Sequence, residues 1–237
     1  MRVLVACEFS QIVCKAFRDN GHEAYSCDIL PTEGNPEWHI QDDVLKYLSG
    51  LHFCPKCGEI CECDHNSFQC HDCGMLWPLS YEHKSFKWDM LIAHPDCTYL
   101  ANSGLHYLNN QRYAGRKVKL EKAFDFVKKL WDAPIDKICI ENPTCWLNTH
   151  WYTPSQVIQP YYFGEDTMKT TCLWLKNLPI LMFTKILPKP KPARVYIRKT
   201  GKKAGQVYKG YYHEGKTAHE RSRTFIGIAN AMATQWG

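Results

Sequence analysis

The chain opens on an unbroken apolar run, "RVLVAC" (2–7), followed by the spaced apolar positions of "SQIVCKAFRDNG" (10–21). A continuous apolar run predicts a buried strand. Ile12, Val13, Ala16 and Phe17, at helical spacing, predict an amphipathic helix. Ser10 is the expected cap of that helix and Gly21 its end. "EAYSCDIL" (23–30) predicts a second strand, and "HIQDDVLKYLSG" (39–50) an acidic loop leading into a short helix. "KWDMLIAHP" (87–95) predicts another strand. Over 116–132, Leu120, Ala123, Phe124, Val127, Leu130 and Trp131 mark one face of a strongly amphipathic helix. "KICIENP" (137–143) predicts a strand ending in a polar tripeptide. The remainder is less regular: "TTCLWL", the Pro/Lys-rich "LPKPKPARVYIRK", and a helical C-terminus, "IGIANAMATQW".

Strands alternating with helices predict an α/β fold with βαβ units and a mainly parallel, Rossmann-like sheet. Ligands of such sheets bind beyond the carboxyl ends of the strands. Four polar clusters fall at those ends: Glu8-Phe9-Ser10, Asp28, His94–Cys97 and Glu141-Asn142-Pro143. Residues 1–50 and 87–177 are expected to form the sheet domain, interrupted by an insertion at 51–80. A short basic segment follows at 178–219, and 220–237 returns as a helix that completes the first domain.

The insertion carries the most specific local pattern, "CPKCGEICECDHNSFQCHDC" (54–73). Cys54 and Cys57 form one Cys-x-x-Cys pair and Cys70 and Cys73 another, each followed by a glycine that helps a tight turn. Two such pairs can hold a tetrahedral ion, and four thiolates favour a structural Zn2+ in a ribbon too small to build its own core. Cys61, Cys63, His65 and His71 offer an alternative ligand set or a second ion, and an iron–sulfur cluster is a further alternative.

Composition changes the picture in three ways. The 237 residues are 45% hydrophobic and 22% charged, which suits a globular chain able to bury a core. The first apolar run is broken at Glu8, unlike a signal peptide, and no run approaches the roughly 18 residues of a membrane span. A cytoplasmic monomer with no membrane partner is therefore expected, and thirteen cysteines then point to metal or catalytic roles rather than disulfides. The net charge of +5 is unevenly spread: residues 168–223 hold 14 Lys/Arg against 2 Asp/Glu, leaving the rest acidic. A basic segment interleaved with Trp174, Tyr196, Tyr208, Tyr211 and Tyr212 suits phosphate contacts and base stacking.

Cys97 follows an apolar strand and a His-Pro-Asp turn, where either a small core residue or a nucleophile would fit. Glu141 ends the next predicted strand and can reach the same pocket, so the two read best as a catalytic pair. The order "EFS…CDI…DDV…HPDC…ENP…GIANAM" resembles the DNA cytosine-5 methyltransferases, in particular the short forms carried by bacteriophages. The resemblance runs over most of the chain outside the metal insertion and the basic stretch.

That resemblance implies S-adenosylmethionine as cofactor, received by Glu8, Phe9 and Ser10, with Asp28 and the adjoining Ile29 at the ribose. Asp43, with Asp42 beside it, matches the acid that contacts the adenine, and Pro95 belongs to the same cofactor-facing set. Arg221, Thr224 and Asn230 match the late family motifs, Asn230 among the cofactor positions. Cys97 then matches the nucleophile that attacks C6 of a cytosine flipped out of double-stranded DNA. Glu141-Asn142 matches the dipeptide that stabilises the attacked ring through N3. Asp96 stands where the family usually has a proline, and a carboxylate there raises the thiol pKa unless a cation offsets it. Lys169 is the one cation offered where the family has Gln-x-Arg-x-Arg, and the recognition region, about forty residues, predicts low sequence selectivity. Two other readings share these residues: a non-catalytic, methyltransferase-like DNA-binding decoy, and a pyrimidine-modifying enzyme acting on free nucleotides. Steep salt dependence of binding separates a polymer from a single nucleotide.

Overall fold

A computed structural model of the protein describes residues 1–54, 56–58, 60–63, 67–70, 72–78, 85–105, 115–192, 194–201, 204–210 and 217–237. The chain begins β1 (Arg2–Ala6), α1 (Ile12–Asp19), β2 (Glu23–Cys27) and β3 (His39–Ile40). Five short strands fill the insertion: β4 (Leu51–Phe53), β5 (Ile60–Cys63), β6 (Ser67–Gln69), β7 (Leu76–Pro78) and β8 (Ser85–Phe86). There follow β9 (Met90–Ala93), α2 (Asn102–Leu105), α3 (Arg116–Trp131), β10 (Lys137–Pro143), α4 (Leu147–His150), β11 (Gln156–Ile158) and β12 (Thr171–Lys176). The chain closes with β13 (Arg194–Ile197), β14 (Val207–Gly210), α5 (Ala218–Ser222) and α6 (Ile226–Trp236).

One seven-stranded sheet, in the order β11-β12-β10-β9-β1-β2-β3, forms the centre. Its strands from β10 to β3 are parallel, while β12 and β11 run antiparallel at one edge. Side chains alternate between the two faces, so the continuous apolar runs are what a sheet covered on both sides requires. Leu4, Ala6, Leu91, Ala93, Ile138 and Ile140 pack with Val127 and Leu130 of α3 on one face. Val3, Val5, Met90, Ile92 and Cys139 pack with α1 and α6 on the other. Gly227 lets α6 seat closely, because a Cβ there would stand 2.1 Å from the Phe163 carbonyl oxygen. The insertion forms a separate antiparallel sheet in the order β7-β6-β5-β4-β8, and β13 and β14 form a separate hairpin. No described helix is long and apolar enough to cross a membrane.

Three sequence expectations change. The stretch after β3 contains a 3-10 turn, Val44–Lys46, capped by the Asp43 side chain, in place of a helix. "TTCLWL" lies in a central strand, so Trp174 is buried with its Nε1 donating to the Tyr152 carbonyl and is unavailable to stack on a base. Ser10 does not cap α1. Cys7 and Gln11 both adopt positive φ, 59° and 57°, turning the chain back on itself after β1. The Glu8 carboxylate then accepts from the amides of Val13, at 2.6 Å, and Cys14, at 3.1 Å. Those are free donors at the first turn of a helix, and the carboxyl oxygens satisfy both.

Glu8→Ala leaves both amides without this acceptor in a buried site. It is expected to lower stability by about 1–3 kcal/mol in urea unfolding. Stability equal to the wild type would show that something other than this carboxylate caps the helix.

Candidate active site

The parallel register decides which side chains meet. Cys27 stands beside Ala6, Ala6 beside Ala93, and Ala93 beside Ile140 across four strands. The next residues, Asp28, Cys7 and His94, therefore leave their strands along one edge, and Glu141 stands beside them where β10 runs on past the end of β9, paired only with β12. Beyond that edge lies a cavity of about 880 Å³, within the range of small-molecule sites. Cys7, Glu8, Phe9 and Ser10 line it from β1, Cys27, Asp28, Ile29 and Leu30 from β2, and Asp42, Asp43 and Val44 from the turn after β3. Tyr99 and Lys119, Lys122, Ala123 and Phe126 of α3 form another wall, and Ser222 and Thr224 reach it from the chain end.

Two features define what this cavity can hold. Glu8, Asp28, Asp42, Asp43 and Asp96 put five carboxyl groups on its wall against two lysines and His94. The N-terminus of α1, where many nucleotide-binding sheets receive a phosphate, is already filled by Glu8. The turn has no glycine either, so a phosphate-bearing ligand is disfavoured at that helix. Phe9 is buried and stacks on His219, with ring centroids 4.3 Å apart. His219 and Arg223 both bind Glu33, which ties the C-terminal segment over the β1 loop.

Beside the cavity, Cys97 lies in the turn after β9 and is partly exposed. Its carbonyl accepts from the amides of Leu100 and Ala101. Asp96 points its Oδ1 at the Thr98 amide, 2.9 Å, and hydroxyl, 2.6 Å, so this carboxylate builds the turn that carries the thiol. Burial pushes the Cys97 thiol above its ordinary value, Asp96 and Glu141 push it further, and Lys169 opposes them. Glu141 behaves the other way. Burial alone would raise its carboxyl, but a hydrogen bond from His94 and the positive charges of Lys169 and His94 hold it below the ordinary glutamate value. The His94 Nδ1 lies 2.9 Å from Glu141 Oε2. Asn142 donates to the Pro95 carbonyl at 2.9 Å and so ties β10 to the Cys97 turn. Lys169 donates to the Arg221 carbonyl at 2.9 Å.

Of the residues singled out in the sequence, Glu8, Phe9, Ser10, Asp28, Ile29 and Asp43 line the cavity, as do Asp42 and Thr224. Pro95 lies between two lining residues and is buried. Asn230 does not join them: it is exposed on α6, whose buried face packs against the sheet and α1. That placement corrects its assignment to the cofactor. The sequence placed His94 in a strand-end cluster without a role of its own; its partner is 47 positions away and nothing local marks the pair.

A second cluster lies in the insertion. The sulfurs of Cys54, Cys57, Cys70 and Cys73 all fall within 4.8 Å of one another, with Cys54–Cys73 and Cys57–Cys70 each at 3.5 Å. A tetrahedral ion with metal–sulfur bonds of about 2.3 Å sets its sulfurs about 3.8 Å apart, so the four residues are positioned to bind one metal ion. Amide N–H groups of Cys57 and Lys56, outweighing burial, bring the Cys54 thiol down to about 6, which suits a thiolate ligand. His65 and His71, and the side chains of Cys61 and Cys63, lie outside the described residues, as do Tyr211 and Tyr212. On the β13–β14 hairpin, Tyr196 and Tyr208 are exposed and pair across the strands, 4.9 Å between rings. Arg198 lies over Tyr208.

Comparison with models of known protein families and with curated proteins finds no match to this chain. The chemistry of the site is therefore argued from its geometry.

Two outcomes are expected. Asp96→Asn removes a like charge and should speed iodoacetamide alkylation of Cys97 several-fold at fixed pH, whereas Lys169→Met should slow it; unchanged rates would mean neither charge acts on the thiol. The purified chain should hold one metal ion, measured by elemental analysis, and Cys57→Ser should lose most of it. Full retention in that variant would exclude the four-cysteine site.

Proposed function

We propose that the protein is an S-adenosylmethionine-dependent DNA cytosine-5 methyltransferase with a structural zinc ion in its insertion and low sequence selectivity. The observation that carries this reading is a thiol, Cys97, in the turn after β9 and a largely buried carboxylate, Glu141, on the neighbouring parallel strand β10, beside an acid-lined cavity. S-adenosylmethionine suits that cavity because it is a sulfonium cation with ribose hydroxyls and no phosphate, and when bound it supplies an electrophilic methyl group. Asp28, exposed Ile29 and Asp43 are the residues that would hold its nucleoside end, with Glu8, Phe9 and Ser10 along the β1 loop.

The side chains then divide the work. Cys97 gives up its proton and its sulfur forms a bond to C6 of the cytosine. The C5=C6 electron pair moves into the ring, and N3 takes a proton from Glu141. The opposed shifts of these two groups suit an exchange in which the thiol proton reaches the Glu141 carboxylate and passes on to N3. S-adenosylmethionine, when bound, would supply the methyl group that C5 accepts, its sulfonium leaving as the neutral thioether. Loss of the C5 proton to solvent restores the double bond, the Cys97 thiolate leaves, and Glu141 takes back the N3 proton. Asn142 holds the turn that aims the thiol.

A polymeric substrate is favoured by the hairpin. Residues 194–210 contain six Lys/Arg and no acidic residue, and Tyr196, Tyr208 and Arg198 share one exposed face. A two-stranded ribbon of this kind has the width of the DNA major groove. The four-cysteine insertion has no open ligand position if all four thiolates bind, so its zinc is structural rather than catalytic.

The test is methyl transfer from labelled S-adenosylmethionine to duplex DNA, with the product digested to nucleosides. The expected label is in 5-methylcytosine. Cys97→Ser should abolish it, and Glu141→Gln should lower the rate by about 10²–10⁴. Label in another base, or transfer that survives Cys97→Ser, would overturn the assignment.

A further inference from the structure

The residue left over by the proposed chemistry is His94. It follows β9 directly and acts on two carboxyl groups, Glu141 and Glu8, that belong to different parts of the site. Its Nδ1 meets Glu141 Oε2 at 2.9 Å, with only 8% of the His94 side chain and 13% of the Glu141 side chain exposed. The second acid it acts on is Glu8, buried at the first turn of α1, whose carboxyl burial pushes above its ordinary value while His94 opposes that rise. An ionised Glu141 can only accept, so Nδ1 carries the hydrogen. The other ring nitrogen, Nε2, is buried and meets no hydrogen-bond partner among the described residues.

That last fact is unusual in its setting. An unpartnered buried polar atom costs about 1–3 kcal/mol, and His94 is a wall residue of the cavity. None of the other described residues with such an atom, Arg116, Asn142, Gln159 and Arg223, lines it. A ligand in the cavity can thus supply the hydrogen-bond partner that this ring nitrogen lacks among the described residues.

We propose that His94 is a two-sided positioning residue that couples the cavity to Glu141: Nε2 takes a hydrogen-bonding group of the cavity ligand while Nδ1–H holds the carboxylate that meets the base. Fixing the ring from the cavity side fixes the carboxylate on the other, so each ligand favours binding of the other. This rests on the proposed function above. The donor that orients Glu141 thus comes from the end of the neighbouring parallel strand, 47 positions away in sequence.

The test uses S-adenosylhomocysteine, which cannot react, and a fluorescent cytosine-containing duplex with wild type, His94→Ala and His94→Asn. Asparagine can place an amide N–H near the Nδ1 position but has nothing to replace Nε2. In the wild type, saturating S-adenosylhomocysteine should tighten DNA binding by about fivefold or more, the lower end of ordinary allosteric coupling. Both variants should bind each ligand alone and lose most of that factor. In single-turnover methyl transfer, His94→Asn should recover most of the rate lost in His94→Ala, a rescue that a merely structural change would not give. Coupling that persists in both variants, or a wild type that binds both ligands independently, overturns the role of His94 and leaves the methyltransferase reading standing. A wild type that binds no S-adenosylhomocysteine overturns both.

Discussion

Parallel pairing in fixed register is the constraint on which the site depends. Cys27, Ala6, Ala93 and Ile140 lie side by side on four neighbouring strands, and a polar cluster follows each, directly after Cys27, Ala93 and Ile140 and past Cys7 after Ala6. A one-residue slip of any strand would turn its apolar set to the wrong face, and burial on both faces forbids that. The packing that holds Leu91, Ile138 and Leu4 in the core thus also sets His94 against Glu141 and brings Asp28 to the same rim. Binding chemistry here is a by-product of core packing, placed one residue beyond it.

The same edge shows how one fold can be turned from one ligand class to another. A parallel sheet offers the helix after β1 as an anion site, and a glycine-rich turn normally opens it to phosphate. Here Glu8 occupies that helix end, and positive φ at Cys7 and Gln11 bends the loop to bring the carboxylate round. With Asp28, Asp42 and Asp43 close by, the cavity favours a cationic, hydroxyl-bearing ligand. The thiol beside it is held in a protonated resting state by burial and two acids, while Glu141 is held ionised by His94 and Lys169. In the proposed reaction one proton moves between the two, which would protect the thiol at rest and reserve its attack for a bound base.

Much of this was legible in the chain. Unbroken apolar runs marked β1, β9 and β10, the helical spacing of Leu120, Val127 and Leu130 marked α3, and the two Cys-x-x-Cys pairs marked the cluster that the insertion brings together. The same apolar runs set Cys97 just past β9 and Glu141 near the end of β10, and both lie there. What could not be read depended on contacts distant in sequence or on side-chain direction. The cap of α1 came from Glu8 rather than Ser10, since a backbone turn decides which oxygen faces the helix. Trp174 was assigned to a DNA-facing segment although its strand runs through the core, and Asn230 falls on the solvent side of α6. His94 has no local signature: its meaning appears only when β9 and β10 lie side by side.

The central claim is that Cys97 becomes bonded to a cytosine ring, and it is tested most directly by trapping that bond. Duplex DNA carrying 5-fluorocytosine, incubated with the protein and S-adenosylmethionine, blocks release because fluorine cannot leave C5 as a proton does. The account predicts a denaturant-stable protein–DNA adduct whose mass spectrum places the modification on the Cys97 peptide, with no adduct formed by Cys97→Ala. Salt-sensitive DNA binding that is unchanged in Cys97→Ala, with no adduct from the wild type, would contradict it and leave a DNA-binding protein without this chemistry.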